Sequence, residues 1–190
     1  MNKTSTLILM LLCLASVACK KVSSHEDQEK ILELEKLADE SREQNNMGKA
    51  PLDTTLLAEL GRAYLAYAES YPQANEAPEY LFRAGEVYSN ELKDFPQAIA
   101  AFKKNYQDYP NHETAANALF FIGYLYNNSM RDIAEAETHY REFLDKYPNH
   151  NLAPHAEFEL KSLGMSMEEV FNQLIGQDST AAVDSTMAIP

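Results

Sequence analysis

Along the middle of the chain, apolar and small residues fall three or four positions apart, and the whole arrangement returns after 38 residues. Phe82, Gly85 and Tyr88 form one stripe, and Ala98 and Phe102 a second. Phe120, Gly123 and Tyr126 repeat the first, and Ala136 and Tyr140 the second. Ala77, Ala115 and Ala153 match, as do Phe82, Phe120 and Phe158, Asn90 and Asn128, and Asp94 and Asp132. Tyr-Pro punctuates the series at Tyr71-Pro72, Tyr109-Pro110 and Tyr147-Pro148. So many matches in one ungapped register identify an internal repeat. Side chains three or four apart share one face of a helix, so each repeat predicts two helices.

The first helix of a unit is predicted over 77–89 and again over 114–127. Pro78 and Pro154 suit the first turn, where no amide partner is lost. The second helix starts after Asp94 or Asp132. Gln97 and Glu135, three residues on, give each start the form of a capping box. That helix stops before Pro110 or Pro148, because proline pushes the residue before it away from helical angles. Gly85 and Ala98 let the two helices approach, with Tyr88 and Phe102 filling the space beside them.

The flanks carry worn versions of the unit. Leu56, Leu60, Tyr64 and Tyr67, ending at Tyr71-Pro72, read as the closing helix of an earlier unit. Its opening helix is expected at 25–44, where Ile31, Leu34 and Ala38 keep helical spacing; a coiled-coil starter is the alternative. Residues 153–163 restart the motif and lose it, since Lys161 stands where glycine was. Ser166 and Glu169 form another capping box, opening a last helix to about Ile175. Terminal units of a repeat array are atypical because they face water.

The first residues change the picture. Lys3 precedes an apolar run, Leu7 to Leu14, and then Ala15-Ser16-Val17-Ala18-Cys19. Roughly 20 apolar residues are needed to span a bilayer, so this run has the layout of a cleavable secretory signal. Only Cys13 and Cys19 occur in the chain, and Cys13 lies within the run. A single remaining cysteine has no disulfide partner. The small residues before Cys19 resemble the lipobox of bacterial lipoproteins, with Ser16 where leucine is usual. That resemblance implies cleavage before Cys19 and acylation at it. The net charge of −13 disfavours nucleic acid, which needs a basic stripe.

Gly85-x-x-Tyr88, Ala98, Phe102 and Pro110 resemble the tetratricopeptide repeat, and Gly123, Tyr126, Ala136, Tyr140 and Pro148 resemble it again. The usual unit has 34 residues. Here one extra residue falls in the turn within the hairpin and three after the proline. This longer form is similar to the repeats of periplasmic and outer-membrane lipoproteins. Examples are the repeat lipoprotein of the outer-membrane β-barrel assembly machine and the periplasmic repeat protein associated with Tol-Pal. The resemblance covers about residues 51–164.

It implies an all-α, tetratricopeptide-like α-solenoid of about three helix hairpins. The expected division is a lipoprotein signal at 1–18, an acylated tether at 19–25 and an N-terminal helix with linker at 26–50. The repeat domain follows at 51–176, with a disordered tail at 177–190. The implied role is a lipid-anchored scaffold of the cell envelope, at the outer membrane and facing the periplasm. It would bind one or more envelope proteins, or an extended peptide segment. A part in β-barrel assembly and a regulatory subunit of an envelope enzyme are the alternatives.

In that family the first helices line a binding groove. The candidates here are Glu79, Arg83, Glu86 and Asn90 in one unit, and Asn117, Phe121, Tyr124, Asn127 and Asn128 in the next. Asparagine offers donors and an acceptor to a peptide backbone, and Phe121 and Tyr124 offer apolar anchors. No phosphate loop, paired-cysteine motif or nucleophile elbow occurs. His112, His150 and His155 fall in junctions where turn residues are expected. The reading is therefore a binding protein rather than an enzyme, with no metal or cofactor.

Overall fold

The computed structural model describes residues 3–166 and 168–172, with side chains from Ser24 onward. Among these residues seven α-helices follow in order: α1 Lys3–Asn46, α2 Thr54–Ser70, α3 Ala77–Glu86, α4 Phe95–Asp108, α5 Glu113–Tyr124, α6 Ile133–Lys146 and α7 Ala153–Ser162. A short helical turn at 168–172 ends the described chain. Among the described residues there is no strand, and no helix is long and apolar enough to cross a membrane. The helices are all-α hairpins of the expected kind. They divide into two compact units, 1–118 and 119–190.

In the first unit, α2 packs between α1 and α3, and α3 pairs with α4. Ile31, Leu34 and Ala38 are buried, so the stripe of α1 packs within the unit instead of waiting for a coiled-coil partner. Leu57, Leu60 and Leu81 are almost wholly buried with Ile31. Each such side chain contributes about 1.5–3 kcal/mol relative to exposure. In the second unit, Phe120, Tyr140 and Phe143 form the core, with ring centroids 5.6–5.7 Å from Phe120.

The glycines act as anticipated, with one change of partner. A side chain at Gly85 would run into the Phe102 ring, and a Cβ at Gly123 would lie 2.9 Å from Tyr140. The aromatic ring itself, rather than Ala98 or Ala136, occupies the space the glycine leaves. Phe82 and its matches do not share one role. Phe82 is half-buried against Phe102, Phe120 is buried, and Phe158 is exposed. The inner stripe of α3 is instead Leu81, Ala84, Gly85 and Tyr88.

The ends of the first helices differ from the prediction. Each passes into a π-turn, Val87–Glu91 after α3 and Leu125–Met130 after α5. A π-turn closes i→i+5 bonds and so absorbs one residue more than an α-turn, which accounts for the extra residue inside the hairpin. Lys93 and Arg131 then take left-handed backbone, at φ 56° and 59°. Asp94 and Asp132 cap α4 and α6, accepting from Gln97 N at 3.2 Å and Glu135 N at 3.1 Å. The reciprocal half of the capping box is replaced. The cap amides donate to the carbonyls of Tyr88 and Tyr126, at 2.8 and 2.9 Å. Ser166 and Glu169 form both halves of theirs.

The Tyr-Pro marks end helices α2, α4 and α6. Tyr71, Tyr109 and Tyr147 each return their N–H to a carbonyl four residues back. In the first unit the hydroxyl also works: Tyr109 donates to the Pro72 carbonyl at 2.9 Å and so links successive junctions.

Candidate functional site

In the first unit the candidates sit on the outward side of α3, and α1 reaches them. Glu79, Arg83 and Glu86 lie four and three apart, hence on one face. Arg83 donates from Nε to Glu79 Oε1 at 2.9 Å and from Nη1 to Glu35 Oε1 at 2.8 Å. The Tyr64 hydroxyl donates to the same Glu35 oxygen at 2.7 Å. Arg42 grips Glu91 through Nε at 3.0 Å and Nη2 at 2.8 Å, and reaches Asp39 through Nη1. Planar two-point gripping of a carboxylate is the geometry for which guanidinium is suited. Hydrogen bonding to Glu79 raises the Arg83 pKa, and hydrogen bonding to Glu91 raises that of Arg42.

Between these groups lies a cleft of about 260 Å³, lined by Glu35, Asp39, Arg42, Arg83, Glu86 and Glu91 among others. Both guanidinium groups are held by carboxylates. Glu86 is half-buried, and burial, then the neighbouring Glu79, raises its pKa. The wall is therefore acidic. Asn90 is exposed and accepts a long bond from the Ser89 hydroxyl, 3.4 Å. Asn117, half-buried, belongs to α5.

In the second unit the remaining candidates sit on the end of α5 and its π-turn. Phe121 is half-buried, edge-on to Phe120 at 6.1 Å. Tyr124 is 43% exposed, a large aromatic surface left to solvent. Asn128 is exposed, and its amide donates to the Tyr124 carbonyl at 3.3 Å. Asn127 donates to Glu159 Oε2 of α7 at 2.9 Å. Asn127 and Asn128 line a cleft of about 530 Å³ together with Ile133, Phe158, Glu159 and Met165. The Tyr140 hydroxyl is buried and makes no well-formed hydrogen bond among the described residues, with the Glu159 carboxylate near enough to act on it. Burial first, then the nearby Glu159 charge, raises its pKa.

Sequence reasoning missed the groups from outside the two clear repeats. Glu35 and Arg42 belong to α1, and Phe158 and Glu159 to the worn third unit. A signal existed for the first pair: Glu35, Asp39 and Arg42 keep spacings of four and three, beside the buried stripe of Leu34 and Ala38. His112 and His150 serve turns, whereas His155, expected in a junction, lies in the first turn of α7. His112 Nδ1 lies 2.9 Å from Thr114 Oγ1, and His150 Nδ1 accepts from Leu152 N at 3.3 Å. Among the described residues no cluster of histidine, cysteine or carboxylate is arranged to hold a metal ion. The side chain of Cys19, the proposed lipidation site, lies outside the described residues, as does the segment 177–190 read as a tail.

Residues 79–112 and 117–150 each match the family model of the tetratricopeptide repeat. Two segments of the chain are thus similar to that repeat. Comparison with curated proteins gives no match. The two matched repeats contain the Gly85–Phe102 and Gly123–Tyr140 contacts, both π-turns and both aspartate caps. A tetratricopeptide repeat is a scaffold for holding protein or peptide partners, and the family assigns no chemistry to its residues. The candidate groups on these segments differ between the two units. They are acidic and hydrogen-bonding in the first unit, aromatic and amide-bearing in the second.

Proposed function

We propose that the chain is a lipid-anchored adaptor of the bacterial cell envelope, holding a partner protein through its tetratricopeptide repeats. The pair of repeats carries this reading. Their helix hairpins present Glu79, Arg83, Glu86, Asn90 and Asn117 in the first unit and Phe121, Tyr124, Asn127 and Asn128 in the second. The hairpins are built before any partner arrives, so the partner bears the ordering cost. The exposed Tyr124 is the natural anchor, since a desolvated aromatic contributes more than a rim charge. Acidity adds a second trait: a partner with a basic segment associates faster at low salt, where opposed fields steer encounter.

Attachment rests on Cys19. It follows Ala15-Ser16-Val17-Ala18 and has no cysteine partner outside the apolar run. Acylation there supplies the anchor, because each buried methylene adds about 0.8 kcal/mol. Labelling with a fatty-acid analogue should mark the wild-type chain, and Cys19→Ser should abolish the label and release the protein from membranes.

The adaptor reading is tested by capture from detergent-solubilised envelopes. Tyr124→Ala and Asn128→Ala should each weaken capture of the recovered partner, and Lys103→Ala on α4 should not. If Lys103→Ala alone weakens it, the partner site lies elsewhere than on the candidate residues.

A further inference from the structure

A cleft of about 530 Å³ opens within the first unit, walled by α1, α3 and the start of α5. Its volume is in the range of sites that hold a ligand, roughly 300–1,000 Å³. Two kinds of group line it. Leu32 of α1 is 60% exposed, one position off the buried stripe of Ile31, Leu34 and Ala38, so the core does not use it. The other kind is carboxylate: Glu35, Glu76, Glu79 and Glu113, set against the single guanidinium of Arg83. Arg83 is already taken up by Glu35 and Glu79. Glu76 and Glu113 are exposed, and no cation among the described residues pairs with either. They do not cap their helices. The Glu76 side chain makes no cap hydrogen bond to α3, and at the start of α5 the Thr114 amide donates to His112 Nδ1 at 3.3 Å. The repeat does not require acid here either. The residues that match Glu76, Glu79 and Glu113 one register on are Thr114, Asn117 and Asn151.

We propose that this cleft docks a basic segment of a partner protein, with an apolar residue on Leu32 and a neighbouring lysine or arginine on Glu76 or Glu113. The inference rests on the adaptor reading and names the chemistry of the partner. Charge complementarity selects the occupant. An acidic segment is repelled by the carboxylates. A wholly apolar one strips water from Glu76 and Glu113 and puts nothing in its place. A long cationic side chain meets both demands, since its aliphatic stem lies on apolar surface while its charged end stays with the carboxylates. Hydrogen bonds to charged groups are the strong ones, so Glu76 and Glu113 carry the selection. Glu79 and Glu35 act differently: by holding Arg83 they keep its charge from the incoming cation and fix the wall before the partner arrives.

The test titrates the full chain into a fluorescent, end-capped peptide that carries one leucine and three arginines in a glycine-serine frame, and reads anisotropy. Two copies of the peptide serve beside it, one with glutamate for arginine and one with serine for leucine. The arginine peptide should bind, the glutamate copy should not, and the serine copy should bind more weakly. Glu76→Gln combined with Glu113→Gln should weaken binding by about tenfold or more, and Leu32→Ser by about threefold or more. Asp145→Asn combined with Glu157→Gln removes the same charge from exposed positions of the second unit and should change binding by less than about twofold. Equal binding of the arginine and glutamate peptides by the wild-type chain overturns the proposal, as does equal weakening by the two double variants. So does an arginine peptide that fails to bind. Capture of the partner separates this inference from the reading beneath it. If the peptide behaves as expected while Tyr124→Ala and Asn128→Ala leave capture unchanged, the cleft stands and the second-unit site falls. If capture needs Tyr124 and the peptide does not bind, the cleft falls alone.

Discussion

The hairpins of the two units share a frame and differ in what they bury. At one place in the register, the α4 residue is Asn105 and the α6 residue is Phe143, and both are completely buried. Asn105 donates to the Pro78 carbonyl at 2.6 Å and to Thr114 Oγ1 at 2.9 Å, and accepts from Thr114. Phe143 instead packs among Phe120, Tyr147 and His150. One interior works by saturated hydrogen bonding, the other by aromatic packing. The backbone devices around them are the same: glycine under a ring, π-turn, left-handed residue, aspartate cap, tyrosine stop. The repeat therefore constrains where chains turn and approach, while leaving the chemistry of a buried position free so long as it is satisfied.

The outward faces diverge in the same way. The first unit presents an ion-pair network in which α1 takes up Arg83 and Glu91. The second presents Tyr124, Asn128 and a cleft of mixed polar and apolar lining. Two hairpins of one design thus carry two kinds of surface.

The comparison breaks most easily at the buried pair. Phe143→Ala should cost about 3–5 kcal/mol, the range for deleting a buried aromatic. Asn105→Ala should cost less, about 1–3 kcal/mol, for the buried acceptor left unpaired. Urea unfolding of both variants measures the order, and equal losses would show that the two interiors are not built differently. Next come the glycines. Gly85→Val and Gly123→Val should each cost on the order of 1–3 kcal/mol by overpacking, with Gly85→Val the larger because Phe102 crowds it more closely. Unchanged melting in both would contradict the ring-over-glycine contact.

A finer test concerns the hydroxyl by which Tyr140 differs from Phe102. It is buried with no well-formed hydrogen bond among the described residues, and only the Glu159 carboxylate acts on it from nearby, so Tyr140→Phe should change stability by no more than about 1 kcal/mol. A clear loss would mean that the hydroxyl has a role unlike anything in the first unit. The smallest effect belongs to Glu86. Its pKa is raised in the folded state by burial, then by Glu79, so the folded state prefers it protonated. Its contribution is therefore full below the unfolded-state value and is lost as pH rises through the folded value. Glu86→Gln should raise the melting temperature slightly at neutral pH, and the gain should vanish below the ordinary carboxylate range.

The helices, their caps and their stops were legible because each depends on residues close in sequence. Asp94, Asp132, Pro78 and the Tyr-Pro marks act on their own turn. The role of the π-turns was not legible, since an extra residue can be absorbed in several ways and the choice depends on how the two helices pack. Phe82, Phe120 and Phe158 look equivalent in register and end in three environments, because burial depends on what the next helix supplies. The candidate site was legible as a set of positions and not as an arrangement. Nothing in the spacing of Glu79 and Arg83 announces that Glu35, 48 residues from Arg83, completes their network.

By itself, the 38-residue register determined an all-α chain of paired helices with tetratricopeptide character, since periodicity and capping are local properties of the sequence. Only the tertiary structure decided which polar groups are spent on internal pairing and which stay exposed. Arg83, Asn127 and Asn105 are held by groups 48, 32 and 27 residues away. Whether a side chain is free depends on neighbours brought close by packing, and that packing is settled by the burial of the apolar stripes rather than by the polar residues themselves.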